Sequence, residues 1–231
     1  MAGFSVRFLG CKVSQTDAQA LRERLVRDGH TELDGRGDVA VVNTCCVTNE
    51  ALAKSRQAAS RAAREHGRVY VTGCGARLSR AAFAGLPANV TVVRGQIEQA
   101  VETVAGDVGA IGCVQSEPRL DRVRAFVKIQ DGCSFSCAFC VIPLVRGATR
   151  SRGAGAVLAE IRRRVAQGHR EIVLTGVNLG LFRDGATRLP QLLRAAAAVD
   201  GVERLRLSSI EINHVDDALV AALLETPNVG P

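Results

Sequence analysis

Three cysteines close together in the sequence have the residue type and spacing best suited to chemistry. Cys133, Cys137 and Cys140 lie within eight residues in a CxxxCxxC arrangement, directly after the dipeptide Asp131-Gly132. Thiolates hold iron–sulfur clusters, and three ligands on a [4Fe–4S] cube leave one iron open for a substrate or cofactor. The sequence therefore predicts an open cluster site in this segment.

Two other interpretations of this triplet stay open. Positions i, i+4 and i+7 share one face of a helix, and cysteine packs there as a small apolar residue. The β-rich flank Val141-Ile142-Pro143 argues against a regular helix. A structural zinc site is the other alternative, but it normally has four ligands, and no fourth Cys or His lies nearby in the sequence.

Three further cysteines are far apart in the sequence but share a position relative to predicted strands. Cys11, Cys45 and Cys74 each follow the end of an apolar, β-rich run by one or two residues. Because the carboxyl ends of parallel strands meet at one edge of a sheet, we predict that these thiols converge on a second cluster site. Three buried structural cysteines are the alternative. Cys46 and Cys113 are better explained as packing or adventitious thiols.

Strand and helix patterns alternate along the sequence, which predicts an α/β fold with parallel strands. These elements must position the cysteines. In the N-terminal part the predicted strands are residues 5–9, 39–43, 69–72 and 90–93, and the predicted helices are residues 15–28, 49–66, 79–84 and 96–105. We expect Ser14 and Thr48 to cap the helices that follow them.

Three more βα units are predicted after a break in the pattern. Their strands are residues 125–130, 171–175 and 204–208, and their helices are residues 157–166, 189–199 and 215–225. We therefore predict one domain over residues 1–107, a linker over 108–123 and a second domain over 124–231. Three strands cannot close a barrel, and residues 226–231 are typical of a turn that leads into another strand. We accordingly expect the sequence to lack a C-terminal portion.

Composition and charge narrow the class of protein. With 231 residues, 47% of them hydrophobic and 23% charged, the chain is neither disordered nor fibrous. No window approaches 18 consecutive apolar residues and the N-terminus lacks a secretory signal, so we expect a cytoplasmic protein that does not enter a membrane. Eight widely spread cysteines suit metal or cluster ligation in a reducing compartment.

The positive charge is concentrated near the CxxxCxxC segment. The net charge is +7, and residues 119–170 hold 11 basic but only 3 acidic side chains. GC-rich coding would also give many arginines, but this local excess suits a polyanionic partner. We expect Arg146, Arg150 and Arg152 to contact nucleic-acid phosphates. The run Arg162-Arg163-Arg164 could do the same or form a solvated helix face.

The CxxxCxxC motif resembles that of the radical S-adenosylmethionine enzymes. The resemblance implies a full or partial (βα) barrel, of which residues 124–231 would form the first half, with S-adenosylmethionine on the open iron. It also implies that Phe139, just before the last cysteine, packs on the cofactor. Residues after the second and third strands of the half barrel would supply further cofactor contacts, namely Gly176, Asn178, Ser209 and Glu211; ordinary turn or capping residues are the alternative.

Both triplets together are similar to the methylthiotransferases, and the similarity runs over essentially the whole chain. It is densest in Gly10-Cys11-Lys12-Val13, Asn43-Thr44-Cys45-Cys46-Val47-Thr48-Asn49-Glu50-Ala51, Lys54-Ser55-Arg56, Thr72-Gly73-Cys74 and Val127-Lys128-Ile129-Gln130-Asp131-Gly132-Cys133. These segments resemble those of the family branch that modifies N6-threonylcarbamoyladenosine beside the tRNA anticodon. The family usually has a proline where this chain has Ile212, which weakens the role implied for Glu211.

This resemblance implies a mechanism and its cofactors. Two [4Fe–4S] clusters would act: the one on Cys133, Cys137 and Cys140 would generate a 5′-deoxyadenosyl radical from S-adenosylmethionine, and the other would carry the sulfur. The expected partners are tRNA, an electron donor such as a flavodoxin or ferredoxin, and a sulfur source. Three alternatives stay open: action on isopentenyladenosine in tRNA, action on a ribosomal-protein aspartate, and a truncated, non-catalytic fragment that binds clusters.

Overall fold

The computed structural model describes residues 2–79, 81–112 and 124–230. The chain divides into two compact units, Met1–Pro118 and Arg119–Pro231. Cys113 and residues 113–123 of the predicted linker lie outside the described residues. The domain limits at residues 107 and 124 therefore stay a prediction.

The first unit is built on a parallel sheet of five strands. The strands are β1 Gly3–Phe8, β2 Thr31–Glu32, β3 Val39–Thr44, β4 Arg68–Thr72 and β5 Val90–Val92. Their order across the sheet is β2-β1-β3-β4-β5, and every neighbouring pair is parallel. The predicted α/β class is confirmed here. This strand order is that of the flavodoxin-like doubly wound folds.

Helices cover both faces of this sheet. They are α1 Lys12–Arg27, α2 Asn49–Glu65, α3 Gly73–Leu78 and α4 Ile97–Val108, with a 3₁₀ turn at Ala81–Phe83. Successive strand residues point to opposite faces, so Val39 and Val41 pack with α1 and α4, whereas Ala40 and Val42 pack with α2. The unit has three layers and two apolar cores.

Two local predictions in this unit are wrong and one is confirmed. The predicted helix at residues 79–84 is wrong, because α3 ends at Leu78 and Ala81–Phe83 form a 3₁₀ turn. Ser14 lies buried inside α1 and does not cap it, because the helix already begins at Lys12 with Cys11 at the N-cap. Thr48 caps α2 as predicted, since its hydroxyl oxygen accepts from the backbone N–H of Ala51 at 3.0 Å.

The described part of the second unit contains a three-stranded parallel sheet and two short antiparallel strand pairs. Its strands are β6 Arg124–Lys128, β7 Gln130–Asp131, β8 Arg150–Ser151, β9 Glu171–Thr175, β10 Arg183–Asp184, β11 Thr187–Arg188 and β12 Arg204–Leu207. The sheet order is β12-β9-β6, while β7 pairs with β8 and β10 with β11 in antiparallel fashion. The helices are α5 Ile142–Arg146, α6 Ala154–Ala166, α7 Leu189–Ala197 and α8 Asp217–Glu225.

One core joins this sheet to its helices. Val127, Ile172 and Leu205 from the three strands pack among apolar residues of α6, α7 and α8. After α8 the chain returns to the sheet, where Leu205 forms a parallel bridge with Val229. In the described residues, no helix has the length and apolar character needed to cross a membrane.

Candidate functional site

The first candidate site lies between β1 and β3, where the order in which the chain adds strands to the sheet reverses. α1 leads from β1 outward to β2, and α2 leads from β3 to β4 on the other side. Such a switch point leaves a crevice at the carboxyl ends of the strands, where doubly wound sheets bind ligands. Cys11 follows β1 and Cys45 directly follows β3. Two of the three predicted ligands therefore flank this crevice.

Cys45 is held from two directions. Its backbone N–H donates to the Ser55 hydroxyl at 3.0 Å, and that hydroxyl lies 3.1 Å from the Cys45 carbonyl oxygen. On the other side Gly10 has a φ of +123°, and a Cβ there would lie 3.2 Å from the Cys45 Sγ. Ser55 is fully buried, and sequence reasoning gave it no role. The one feature of the sequence that could have indicated a role for Ser55 is its place on the inner face of α2.

Cys74 lies on the first turn of α3, beside the same strand ends. Thr44 and Gly73 form a parallel bridge. Gly73 has a φ of +89°, and a Cβ there would overlap with the Asn43 amide oxygen and the Thr44 backbone. Only glycine satisfies both requirements. The close approach of these loops brings the Cys74 segment next to the end of β3.

The donor set in this unit fits an iron–sulfur cluster. Cys45 and Cys74 are buried and Cys11 is exposed. Asn43 Oδ1 and Thr72 Oγ1 are buried without a hydrogen-bond partner at the same strand ends. No group of three or more His, Cys, Asp or Glu in the described residues is placed to hold a single metal ion. A cube, however, takes each thiolate on a different iron, so its ligands need not reach one point. Convergence of the three thiols stays a prediction.

The second candidate site is the cysteine-rich loop after β7, here called the cluster loop and comprising residues 132–141. This loop has no regular helix, so the helical-face interpretation of the triplet is wrong. Cys133 is buried, Cys140 is partly buried and Cys137 is exposed. The expected extended flank is also wrong: α5 begins at Ile142, and Pro143 fits its first turn. Phe139 is 94% exposed.

Backbone contacts close the base of the cluster loop. The Cys133 N–H donates to the Gly147 carbonyl at 3.0 Å. Ser134 and Thr149 exchange backbone-to-hydroxyl hydrogen bonds, each at 3.0 Å. Gly132 has a φ of +69°, and a Cβ there would overlap with the Ala148 carbonyl oxygen. The start of the cluster loop is thereby held against residues 147–149, which follow α5.

A buried ion cluster lies under this base. Arg146 Nη1 contacts both carboxylate oxygens of Asp131, at 2.9 and 3.1 Å, and Lys128 Nζ lies 3.1 Å from Asp131 Oδ2. Burial by itself would raise the pKa of the Asp131 carboxyl, but the charges of Lys128 and Arg146 outweigh it and lower the pKa from 3.8 to about 2. The carboxylate therefore stays ionised at neutral pH.

The expected phosphate role of Arg146 is wrong. Its side chain is 2% exposed, so the guanidinium binds Asp131 and cannot reach an external phosphate. Arg164, in the basic run of α6, is also buried and contacts Glu160 at 3.2 Å. That burial had a sequence signal, because Arg164 continues the apolar face of Val157 and Ile161 at helical spacing.

Arg150 and Arg152 keep accessible guanidinium groups. Arg150 is exposed, and its Nη1 donates to the Arg146 carbonyl at 3.0 Å. Arg152 is 37% exposed and forms an ion pair with Glu160 at 2.6 Å. The phosphate role stays a prediction for these two residues.

The loop after β9 carries Gly176 and Asn178. A Cβ at Gly176 would lie 3.0 Å from both the backbone and the side-chain oxygen of Gln130. The close approach that this glycine permits is thus to Gln130, within the protein. Asn178 is buried; its Oδ1 accepts from the backbone N–H groups of Gly180 and Glu211 at 3.2 and 3.4 Å, and its Nδ2 has no partner.

The loop after β12 carries Ser209 and Glu211. Both residues are exposed. The Ser209 carbonyl accepts from the Leu179 N–H at 2.9 Å, so the backbone of this loop is tied to the loop after β9. Gly176, Asn178, Ser209 and Glu211 therefore follow neighbouring parallel strands of one sheet. Their contact with a cofactor stays a prediction.

Sequence reasoning missed an aromatic contact at this rim. The ring of Phe135, in the cluster loop, stacks on that of His214 with centroids 5.7 Å apart and an angle of 10°. His214 ends the 3₁₀ turn Ile212–His214 after β12, and its Nε2 is buried without a partner. Phe135 lies within the CxxxCxxC motif, but His214 is about 80 residues away and no sequence pattern links the two.

Known proteins match this chain over nearly its whole length. Residues 4–95 match a family model described as "Uncharacterized protein family UPF0004". The threonylcarbamoyladenosine tRNA methylthiotransferase MtaB of Chlamydia pneumoniae is 33% identical over 234 residues, covering 99% of this chain and 56% of that protein. The protein of the same name from Bacillus subtilis is 35% identical over 246 residues, covering 96% and 54%. Over nearly its whole length the chain is therefore similar to methylthiotransferases.

The match confirms the resemblance inferred from the cysteine motifs. The chain spans just over half the length of these methylthiotransferases. A solved structure with a similar fold is the radical S-adenosylmethionine methyltransferase TsrM from Kitasatospora setae with cobalamin and a [4Fe–4S] cluster bound. Its TM-score is 0.59 at 15% identity, with 96% of this chain and 58% of that chain covered. At this identity the likeness shows the fold alone.

Proposed function

We propose that this protein is a radical S-adenosylmethionine methylthiotransferase that adds a methylthio group to C2 of N6-threonylcarbamoyladenosine in tRNA. The observation that carries the proposal is that each unit holds a three-cysteine set: in the first unit each cysteine follows a different parallel strand, and in the second all three lie in the loop after β7. Methylthio transfer needs both a radical generator and a sulfur carrier, and two open clusters meet that need. The names of the similar proteins support the choice of tRNA and of the modified base.

Each unit has a distinct part in this proposal. Cys11, Cys45 and Cys74 would hold the sulfur-carrying cluster, and Cys133, Cys137 and Cys140 the cluster that binds S-adenosylmethionine. When bound, the second cluster supplies the electron that cleaves S-adenosylmethionine. The exposed ring of Phe139 offers an apolar face for the cofactor.

The polar groups of the rim suit the remaining parts of the cofactor. Asn178 Nδ2 is a buried donor without a partner, which suits a ligand acceptor. The exposed Ser209 hydroxyl and Glu211 carboxylate can accept from ribose hydroxyls or an ammonium group. Arg150 and Arg152 offer positive charge to tRNA phosphates. An electron donor such as a flavodoxin or ferredoxin and a sulfur source complete the set of partners.

Iron content tests the two-cluster proposal. Anaerobic reconstitution of the chain should give about eight irons per chain, four for each cluster. Cys11→Ala and Cys133→Ala should each lower the content to about four, because each removes a ligand of one cluster only. Cys46→Ala is the matched control, since Cys46 adjoins Cys45 but is not a proposed ligand. One cluster in the wild type, with Cys11→Ala unchanged, would refute the proposal.

Nucleoside analysis tests the substrate. Mass spectrometry of tRNA nucleosides from a deletion strain should show loss of the methylthio group from threonylcarbamoyladenosine, and the wild-type gene should restore it. Retention of that mark, with loss of methylthio from isopentenyladenosine instead, would assign a different substrate.

A further inference from the structure

We propose that Gln130 is a positioning residue that sets Asn178 against S-adenosylmethionine, an inference that rests on the proposed function. Gln130 lies in β7, three residues before the proposed cluster ligand Cys133, and is 1% exposed. A buried amide at this place must satisfy both its oxygen and its nitrogen within the protein.

The Gln130 amide joins two of the loops at the carboxyl ends of the strands. Its Oε1 accepts from the backbone N–H groups of Val177 and Asn178, both at 2.9 Å. Its Nε2 donates to the carbonyls of Asp131 and Gly132 at 3.1 and 2.6 Å. Two donors face one end of the amide and two acceptors face the other, so its orientation is fixed. One side chain thus sets the start of the cluster loop relative to the loop after β9.

Asn178 extends this connection to the third loop. Its Oδ1 accepts from the Gly180 and Glu211 N–H groups, which fixes the amide so that Nδ2 is the group left over. Asn178 is 3% exposed and its Nδ2 has no hydrogen-bond partner. An unpaired buried donor is costly, and a ligand acceptor would satisfy it. Gln130 fixes the backbone from which this donor projects.

Gly176 makes the arrangement compact. A Cβ at this position would lie 3.0 Å from Gln130 Oε1 and 3.0 Å from the Gln130 carbonyl oxygen. Such contacts are tighter than most real Cβ contacts, so a larger residue would push the two loops apart. The glycine therefore serves the contact between Gln130 and the loop after β9.

The test compares two variants of the reconstituted 231-residue chain. Gln130→Met keeps the length of the side chain and removes all four hydrogen bonds. Gln130→Glu keeps an oxygen for Val177 and Asn178 but loses the donors to Asp131 and Gly132. Gln57→Met, at an exposed position of α2, is the matched control. The readouts are iron content, S-adenosylmethionine affinity, and the KM and kcat of its reductive cleavage.

We expect Gln130→Met to retain the iron content of the wild type, to bind S-adenosylmethionine about tenfold more weakly and to raise KM more than it lowers kcat, since it loses alignment of one donor. Gln130→Glu should show at least as large a loss, because its buried carboxylate faces the carbonyl oxygens of Asp131 and Gly132, and Gln57→Met should show none. Unchanged affinity in Gln130→Met with full iron content would overturn the inference. If Gln130→Met does not fold, Gln130→Glu decides by the same criterion.

A double variant separates positioning from general support. If Gln130 acts through Asn178, Asn178→Ala and the double variant with Gln130→Met should bind S-adenosylmethionine equally weakly. Losses that multiply would overturn this role. A wild-type chain that holds its clusters but does not bind S-adenosylmethionine would instead refute the proposed function itself, and the inference with it.

Discussion

At the scale of single residues, Asp131 and Gly132 govern the base of the cluster loop. Asp131 pairs with a guanidinium that is 2% exposed, and Gly132 meets the Ala148 carbonyl with a φ of +69°. Neither residue is a proposed ligand. Both residues set the path of the backbone leading into Cys133. Substitutions at either should therefore lower the free energy of unfolding.

Asp131→Asn should lower the free energy of unfolding by about 3 kcal/mol, because it removes the negative charge facing the buried Arg146. Urea unfolding at equal cluster loading measures the change. Glu225→Gln is the control: its ion pair with Arg194 spans 2.7 Å but is 41% and 60% exposed, so its loss should cost less than about 0.5 kcal/mol. Equal costs for the two variants would contradict this assignment.

Gly132→Ala should cost more than Gly185→Ala. Both glycines have positive φ, but a Cβ at Gly185 meets nothing within 4 Å. The control should lose about 1 kcal/mol from backbone strain alone, and Gly132→Ala about 1–3 kcal/mol more from the overlap with Ala148. The same urea midpoints decide, and indistinguishable variants would show that the loop relaxes around the added methyl group.

Sequence patterns indicated which residues are candidates for the site, but they did not indicate which residues those candidates contact. The cysteine spacing predicted one triplet and the positions after predicted strands predicted the other. The charge excess predicted a phosphate contact for Arg150, whose side chain is exposed. The same excess misled at Arg146, because its partner Asp131 lies 15 residues earlier and no local pattern links them. The sequence indicated Gln130 only as part of a family motif. Its four hydrogen-bond partners are backbone atoms, and residue spacing in the sequence does not reveal such contacts.

At the scale of elements, the parallel strands set the site and the loops after them are tied to one another. Gln130 joins the cluster loop to the loop after β9, and Phe135 joins it to the turn after β12. Alternation of apolar and polar segments predicted the main strands and crossover helices. It missed α3, because Gly73 and Gly75 are typical of a loop, and it missed β2, because two residues carry no pattern.

The contact between Phe135 and His214 should contribute measurably to this arrangement. A double-mutant cycle with Phe135→Ala and His214→Ala should give a coupling of about 0.5–1.5 kcal/mol in urea unfolding, as for other stacked rings. Phe139 lies in the same loop but is 94% exposed, so the cycle of Phe139→Ala with His214→Ala should give no coupling. Equal coupling energies in the two cycles would contradict a specific contact between Phe135 and His214.

At the scale of the whole molecule, charge governs the proposed encounter with tRNA. The chain carries a net charge of +7, with a local excess in residues 119–170. The structure removes Arg146 and Arg164 from the accessible part of this excess. The accessible arginines that remain in the described part of the stretch are Arg124, Arg150, Arg152, Arg162, Arg163 and Arg170. Binding should therefore weaken as salt concentration rises.

Arg150→Gln should reduce the salt dependence of tRNA binding. The slope of log Kobs against log salt concentration should become shallower by about 1, the change expected when one phosphate contact is lost. Arg61→Gln makes the same charge change on α2, where Arg61 is 65% exposed, and should leave the slope as it is. Filter binding over a salt series measures both variants. Equal slopes in all three proteins would place the contacts elsewhere.

The sheet of the first unit also has a consequence for association between chains. Its two edge strands are the shortest, with two residues in β2 and three in β5, while the longer β1, β3 and β4 are paired on both sides. An edge strand is where a sheet offers unpaired backbone groups to a second chain, and short edges limit that risk. The short edges of this sheet therefore offer a second chain few unpaired backbone groups and little template for aggregation.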